Sequence, residues 1–152
     1  MFKFKELNYL TDGEIELKII EKVPANEQKG YVPIYKYKIT LQGSDKSIGN
    51  VDIRIGHNEN IYYGGNIGYN IDEQYRGNSY AAKACKIIKR VAIAHDMNKI
   101  LITCNPNNIA SKKTCVKAGL ILKSVEDLPP HNSLYQLGDR QVCIYEWNLN
   151  ER

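Results

Sequence analysis

Residues 76–81 read Arg76-Gly77-Asn78-Ser79-Tyr80-Ala81 and mark the point where the hydrophobic pattern of the chain changes. Before them, residues 67–71 form an apolar alternating run, which is typical of a strand. After them, residues 81–95 repeat apolar side chains with the period of a helix. Because the first N–H groups of a helix are unpaired and carry partial positive charge, this strand, turn and helix predict an anion site.

Four strands are predicted upstream of this turn, at residues 14–23, 33–41, 46–55 and 62–71. The second and third alternate apolar and polar side chains and should pair as a hairpin. Residues 57–60 are predicted to form a turn, and Gly64-Gly65 a bulge in the fourth strand.

Two strands and a helix are predicted to follow the long helix, with a last strand at residues 141–149. Residues 99–104 are almost all apolar, as in a strand buried on both faces. Asn108 should cap a helix at residues 109–118, Gly119 should end it, and residues 120–125 should form a strand. The strand-helix-strand connection requires a parallel pair, so we expect an α+β (mixed α/β) fold with a mostly antiparallel sheet of about six to seven strands.

Composition narrows the class of protein. The 43% apolar and 25% charged content is ordinary for a globular protein, and residues 1–152 suit a single domain. The net charge of +4 is spread along the chain, so we expect no nucleic-acid partner; a small anionic ligand accounts for the charge. No apolar run reaches the roughly 18 residues of a membrane span, and the first residues lack a signal-peptide core, so the cytoplasm is expected.

The four cysteines, Cys85, Cys104, Cys115 and Cys143, are far apart in the sequence and form no CxxC pair. Each lies in an apolar or helical context, which predicts reduced, buried thiols rather than a metal site.

The turn at residues 76–81 and the helix at residues 109–118 together resemble the motifs of the GNAT superfamily of acyl-CoA-dependent N-acetyltransferases. The family motif R/Q-x-x-G-x-G/A reads here Arg76-x-x-Ser79-x-Ala81. A second family feature, an Asn before a helix that ends in Lys-x-Gly-Phe, reads here as Asn108 followed by Lys117-Ala118-Gly119-Leu120. The spacing Asn108-x-x-Ser111 looks most like the ribosomal-protein-acetyltransferase (RimJ/RimL) branch and its bacterial relatives.

The resemblance implies acetyl-CoA as co-substrate, no metal, and transfer of an acetyl group to a primary amine by direct attack in a ternary complex. The pantetheine arm would pair with the strand at a splayed parallel pair, and the turn would bind the pyrophosphate. The residues implied to contact CoA are Tyr69, Asn70, Ile71, Arg76, Gly77, Asn78, Ser79, Tyr80, Ala81, Asn108, Ser111 and Lys112. Lys113 is an alternative to Lys112 for the 3′-phosphate.

Three positions depart from the family pattern: Ser79 replaces a Gly, Leu120 a Phe, and Cys115 a Tyr that serves many members as general acid. These departures leave open a non-catalytic CoA or acyl-CoA sensor of the same fold. A dinucleotide-binding enzyme would need G-x-G-x-x-G and a repeated strand-helix order, which the chain lacks.

Four residues are candidates for catalysis, each with a structural alternative. His57 has a suitable ordinary pKa and Asp72 stands just before the turn, so either is a candidate to take the amine proton. Tyr69 or Tyr145 is a candidate to donate to the departing thiolate. The structural alternatives are that His57 is a surface histidine and that Asp72 only contributes charge near the first turn of the helix. The two tyrosines could likewise be side chains that only pack in strands.

The acceptor side is the least specified. Family members often place helices between the first two strands, whereas residues 24–32 here show no helical period. The acceptor site is therefore either open or built by other parts, such as residues 128–138 or a second subunit of a homodimer. An open cleft would suit a peptide or protein amine, and a pocket completed by a dimer would suit a small molecule.

Overall fold

Eight strands and four helices make up this chain, of which the computed structural model describes residues 1–151. Five strands form one antiparallel sheet in the order β1-β2-β3-β4-β5: β1 (Tyr9–Thr11), β2 (Ile15–Val23), β3 (Ile34–Leu41), β4 (Ser47–Arg54) and β5 (Ile67–Ile71). Three form a second in the order β6-β8-β7: β6 (Lys99–Cys104), β7 (Ile121–Asp127) and β8 (Gln141–Asn148). The helices are α1 (Glu59–Gly64), α2 (Tyr80–Ala94), α3 (Ile109–Ala118) and α4 (Ser133–Gln136).

The core lies between α2 and one face of the five-stranded sheet. Apolar side chains on α2 recur every three or four residues, and Ala84, Ile88 and Val91 are fully buried. Alternate residues of the sheet, such as Tyr37 and Val51, supply the facing layer. Burial of this single apolar stripe holds the N-terminus of α2 at the end of β5, which positions the site described below.

The expected α+β class is confirmed, with two differences in the first sheet. Strand β1 is an addition to the prediction. The predicted strand over residues 62–71 was wrong in its first half, because α1 occupies residues predicted as turn and strand. Asn58 Oδ1 accepts the Ile61 N–H at 2.9 Å and begins this helix, and Gly65, at φ +82°, ends it. Gly64 and Gly65 therefore end a helix rather than form a bulge.

The expected parallel pair does not form a ladder. The pairings within both sheets are antiparallel, and β5 and β6 belong to different sheets. They are joined just before β5, where the Asn66 N–H donates to the Leu101 carbonyl at 2.6 Å and the Leu101 N–H donates to Asn66 Oδ1 at 2.9 Å. Among the described residues no hydrogen bond pairs the rest of β5 with β6, so the two strands part beyond this point.

The second half of the chain follows the prediction closely. Helix α3 has the expected bounds, with Asn108 as its cap and Gly119, at φ +95°, as its end. Strand β7 runs two residues further than expected, and the short α4 lies inside the predicted loop. The four cysteines are buried and unbridged, as expected. In the described part of the chain, no helix is long and apolar enough to cross a membrane.

Candidate functional site

A cavity of about 490 Å³ opens between the end of β5, the start of α2 and one face of α3. Its volume lies in the range of small-molecule sites. Its lining residues are Tyr69, Asn70, Ile71, Tyr75, Arg76, Gly77, Ser79, Tyr80, Ala81, Ala82, Asn108, Ala110, Ser111, Lys113, Thr114 and Lys117. No acidic side chain is among them, and three are cations, so the cavity has a positive character.

The N-terminus of α2 supplies unpaired donors to this cavity. Within the described chain, the backbone N–H groups of residues 80–82 donate no hydrogen bond, and the first turn holds no acidic residue. Gly77, at φ +88°, and Ser79, at φ +64°, turn the chain sharply just before the helix. Exposed N–H groups at a helix start favour a phosphate or another anion.

Arg76 is held in place by the strand that precedes it. Its Nε donates to the carbonyl of Ile71, the last residue of β5, at 2.8 Å. This bond uses one of the five guanidinium donors, so the rest of the fork can meet an anion at the cavity mouth.

One face of α3 presents polar side chains at three-residue intervals: Asn108, Ser111, Thr114 and Lys117. Asn108 Oδ1 caps the helix by accepting the Ser111 N–H at 3.1 Å. At the other end of the same face, Lys117 Nζ donates to Ser79 Oγ at 2.6 Å. The two helices therefore meet across the cavity through a lysine and the turn serine.

The Tyr69 hydroxyl is the buried polar atom of this site. It is shielded from solvent, faces the side chains of Ser111 and Thr114, and makes no hydrogen bond of good geometry. Burial raises the pKa of Tyr69 to about 12, and the Ser111 hydroxyl acts in the opposite direction. The phenol is therefore a protonated donor at neutral pH that lacks a protein partner, as expected of a group that binds a ligand.

A larger cavity, of about 740 Å³, shares none of these lining residues. The turn after β6 borders both cavities, because Asn105 lines the larger cavity and Asn108 the smaller. Its other walls come from residues 29–32, 34, 54, 59–61, 64–65, 103–104, 131–134, 139 and 141–142. The predicted loop at residues 128–138 thus forms part of this wall.

Two carboxylates line the larger cavity. Asp139 Oδ1 accepts from Asn105 Nδ2 at 3.1 Å, beside the end of β6. Glu59 Oε1 lies 2.9 Å from His131 Nε2 on an exposed rim. Arg54 also lines the cavity, but its guanidinium is engaged with the Gly65 carbonyl at 3.1 Å and with Asp52 at 3.5 Å. Asp139 is thus the carboxylate of this lining that is bonded to the residue directly after β6.

The predicted cofactor residues line the smaller cavity, with the exceptions of Asn78 and Lys112. Asn78 Nδ2 instead bonds the Tyr75 carbonyl at 3.1 Å. Lys112 does not line the cavity, because its Nζ donates to the Pro106 carbonyl at 3.3 Å, whereas Lys113 and Lys117 do line it.

Of the four catalytic candidates, Tyr69 lines a cavity and the other three line neither. His57 contacts the Lys99 carbonyl through Nε2 at 3.2 Å, at the opposite end of β6, and burial lowers the pKa of His57. Asp72 precedes a 3₁₀ turn, Glu73–Tyr75, and its side chain makes no capping bond. Tyr145 is 4% exposed within the core, and burial raises its pKa.

Sequence reasoning missed Thr114 and Lys117 in the smaller cavity and nearly all of the larger one. The three-residue spacing from Asn108 was the available signal for the first two. The larger cavity carries no such signal, because its walls come from segments distant in the sequence.

Comparison with known families and structures agrees with this arrangement. A family model described as an acetyltransferase (GNAT) domain matches residues 5–121. A comparison with curated protein sequences gives no significant match.

Several solved structures share the fold. The ribosomal L7/L12 α-N-protein acetyltransferase RimL, in complex with CoA, superposes with a TM-score of 0.64 at 16% identity, over 91% of this chain and 96% of RimL. A Salmonella typhimurium acetyltransferase that modifies the N-terminal serine of L7/L12 gives 0.58 at 22% identity, over 81% and 67%. The microcin C7 self-immunity acetyltransferase MccE, in complex with acetyl-CoA and AMP, gives 0.59 at 20% identity, over 76% of this chain. This chain spans 61% of the MccE chain, and identities this low show the fold alone.

Proposed function

Because this chain belongs to the GNAT acetyltransferase family, we propose that it is an acetyl-CoA-dependent N-acetyltransferase that moves an acetyl group to a primary amine. The observation that carries the proposal is the smaller cavity, in which unpaired N–H groups, three cations and the unpartnered Tyr69 hydroxyl converge.

The cavity suits two chemical parts of acetyl-CoA, the pyrophosphate and the pantetheine arm. The N–H groups of residues 80–82 and the Arg76 guanidinium are donors for the pyrophosphate. The parting of β5 from β6 leaves the end of β5, at Tyr69, Asn70 and Ile71, without a strand on that side. Pantetheine amides can pair with such an edge as an added strand would.

Acetyl-CoA supplies an activated thioester carbonyl, and the chain supplies position and hydrogen bonds. Holding the amine against the thioester carbon removes much of the barrier. The amine nitrogen forms the new C–N bond as the C–S bond breaks, the thiolate leaves, and the amine proton passes to water. Tyr69 stabilises the departing sulfur by a hydrogen bond without giving up its proton, because its pKa of about 12 exceeds that of an ordinary thiol, about 8.5.

We place the acceptor amine in the larger cavity, with Asp139 as the partner of its ammonium form. Its walls come from this chain, so the site does not require a second subunit. RimL and the Salmonella enzyme act on a protein α-amine, and a cavity of about 740 Å³ admits the first residues of a polypeptide. Small amines and peptide amines are therefore both substrates to test.

Two measurements test the proposal. Acetyl-CoA should raise the melting temperature, because a ligand that binds only the folded state stabilises it. CoA release should then depend on an added amine from a panel of small amines and peptides with free N-termini.

Absence of a thermal shift at millimolar acetyl-CoA would refute CoA binding. A thermal shift with no CoA release in the presence of any amine would instead favour a non-catalytic CoA sensor, the alternative that Ser79 and Cys115 motivate. Cys115 is fully buried and lines neither cavity, so its thiol does not take the place of the missing tyrosine beside a bound ligand.

A further inference from the structure

Ser79 has an unusual backbone for its residue type. Its φ of +64° and ψ of +21° lie in the left-handed region, which costs a non-glycine residue free energy. Glycine would adopt this conformation freely. A serine that retains this cost indicates that its side chain contributes something glycine does not.

The contribution visible in the structure is a contact with α3. The Ser79 hydroxyl accepts a 2.6 Å hydrogen bond from Lys117 Nζ and makes no capping bond to its own helix. Lys117 belongs to the same face of α3 as Asn108 and Ser111, one residue before the helix ends. Without a fixed partner, a lysine so close to the end of a helix would extend into solvent, since its side chain loses rotational entropy when held.

The charge around this contact is one-sided. Arg76, Lys113 and Lys117 line the cavity, and no carboxylate does. Within the described chain Lys117 has no ion pair, although Lys83 on the neighbouring helix is paired with Glu14 at 2.6 Å. A cluster of cations without an acidic partner favours an anionic ligand.

We propose that Lys117 binds the pyrophosphate of acetyl-CoA and that the Ser79 hydroxyl positions its ammonium group for that contact. This inference rests on the proposed function and adds to it a cation from α3 and a role for the serine. The pyrophosphate, rather than the 3′-phosphate, is the partner because Ser79 directly precedes the unpaired N–H groups of α2. Lys113 lies about one turn earlier on α3 and is the nearest alternative cation for the 3′-phosphate.

Calorimetric titration of the purified chain with CoA, 3′-dephospho-CoA and acetyl-pantetheine tests the assignment. Lys117→Gln should weaken the binding of CoA and of 3′-dephospho-CoA by the same factor. We expect a factor of roughly ten, which is usual for a lost charge-assisted hydrogen bond. Its affinity for acetyl-pantetheine, which lacks the pyrophosphate, should not change. Lys86→Gln removes an exposed cation from α2 and is the matched control, with unchanged affinity for all three ligands.

A double-mutant cycle tests the positioning role. Ser79→Ala still requires a left-handed backbone at this position but removes the hydroxyl. It should weaken CoA binding about threefold in the wild-type background and should have no effect in the Lys117→Gln background. Ser79→Gly should weaken CoA binding similarly while it stabilises the fold. A purely structural hydroxyl would give the same loss in both backgrounds.

The outcomes separate the two proposals. Two results with a wild type that binds CoA would overturn the assignment of Lys117 to the pyrophosphate and leave the proposed function standing. In the first, Lys117→Gln binds CoA as well as wild type does. In the second, Lys117→Gln loses affinity for CoA but not for 3′-dephospho-CoA. If wild type binds no CoA, both are overturned.

Discussion

Asn66 and Leu101 exchange two hydrogen bonds at the point where the two sheets meet, at 2.6 and 2.9 Å. Asn66 is fully buried, and its Nδ2 also donates to the carbonyls of Arg54 and Gly56, at 2.9 Å each. The side-chain amide thus satisfies three backbone groups, one buried and two partly buried, and determines where β5 leaves β6. The opening that lets a ligand reach the end of β5 begins at this residue.

We therefore expect Asn66→Ala to lower the free energy of unfolding by about 3 kcal/mol, because one buried and two partly buried backbone groups lose their partner. Chemical denaturation measures the change. Asn50→Ala, on the exposed face of β4, is the control and should cost less than about 0.5 kcal/mol. A loss below about 1 kcal/mol at Asn66 would contradict the role of this amide.

Arg76→Ala should weaken CoA binding about tenfold, because it removes a cation from the mouth of the cavity. It also removes a hydrogen bond to a backbone carbonyl, worth about 1 kcal/mol of stability. Arg90→Ala removes a comparable bond, from Arg90 Nη1 to the Thr11 carbonyl at 2.9 Å, and lines neither cavity. Calorimetry should show a CoA defect in the first variant alone; equal CoA affinities would move the anion site elsewhere.

The Tyr69→Phe variant should transfer acetyl groups more slowly than wild type and yet be slightly more stable. The rate of acetyl transfer should fall about tenfold with little change in CoA affinity, because a donor to the departing sulfur is lost. Stability should rise by up to about 1 kcal/mol, since the buried hydroxyl has no protein partner to lose. A variant that is both fully active and no more stable would show that the hydroxyl only packs.

The raised pKa of Tyr69 predicts how this effect depends on pH. The phenol stays protonated below its pKa of about 12, so the ratio of wild-type to Phe rates should be constant from pH 6 to pH 9. Above about pH 10, the ordinary pKa of tyrosine, the unfolded chain ionises first, so wild type should lose stability relative to Tyr69→Phe as pH rises. A rate ratio that titrates near pH 7 would assign proton transfer to another group.

Asp139→Asn should raise KM for the amine about tenfold and leave CoA affinity unchanged, because the carboxylate meets the ammonium in the larger cavity. Asp127→Asn is closely matched, since Asp127 accepts from Gln141 Nε2 at 3.1 Å much as Asp139 accepts from Asn105, but it lines neither cavity. Steady-state kinetics with the best amine of the panel gives both values. Equal KM values in the two variants would place the amine elsewhere.

Local patterns predicted the elements well where one segment carries the whole signal. Asn108 and Gly119 marked both ends of α3, because capping and left-handed termination depend on residues at the helix ends themselves. The prediction failed at α1, where Tyr62 and Tyr63 suggested a strand. There the cap at Asn58 and the glycine stop at Gly65 outweighed the strand preference of the tyrosines.

The sequence by itself determined the fold class, the family and most of the smaller cavity, because the turn before α2 and the polar face of α3 are each a short pattern of neighbouring residues. Only the tertiary structure decided that Lys117 rather than Lys112 reaches Ser79, that the Tyr69 hydroxyl has no hydrogen-bond partner, and that residues 131–134 and 139 line the larger cavity. These are contacts between segments tens of residues apart. Their geometry depends on how α2, α3 and the two sheets pack, which no local pattern encodes.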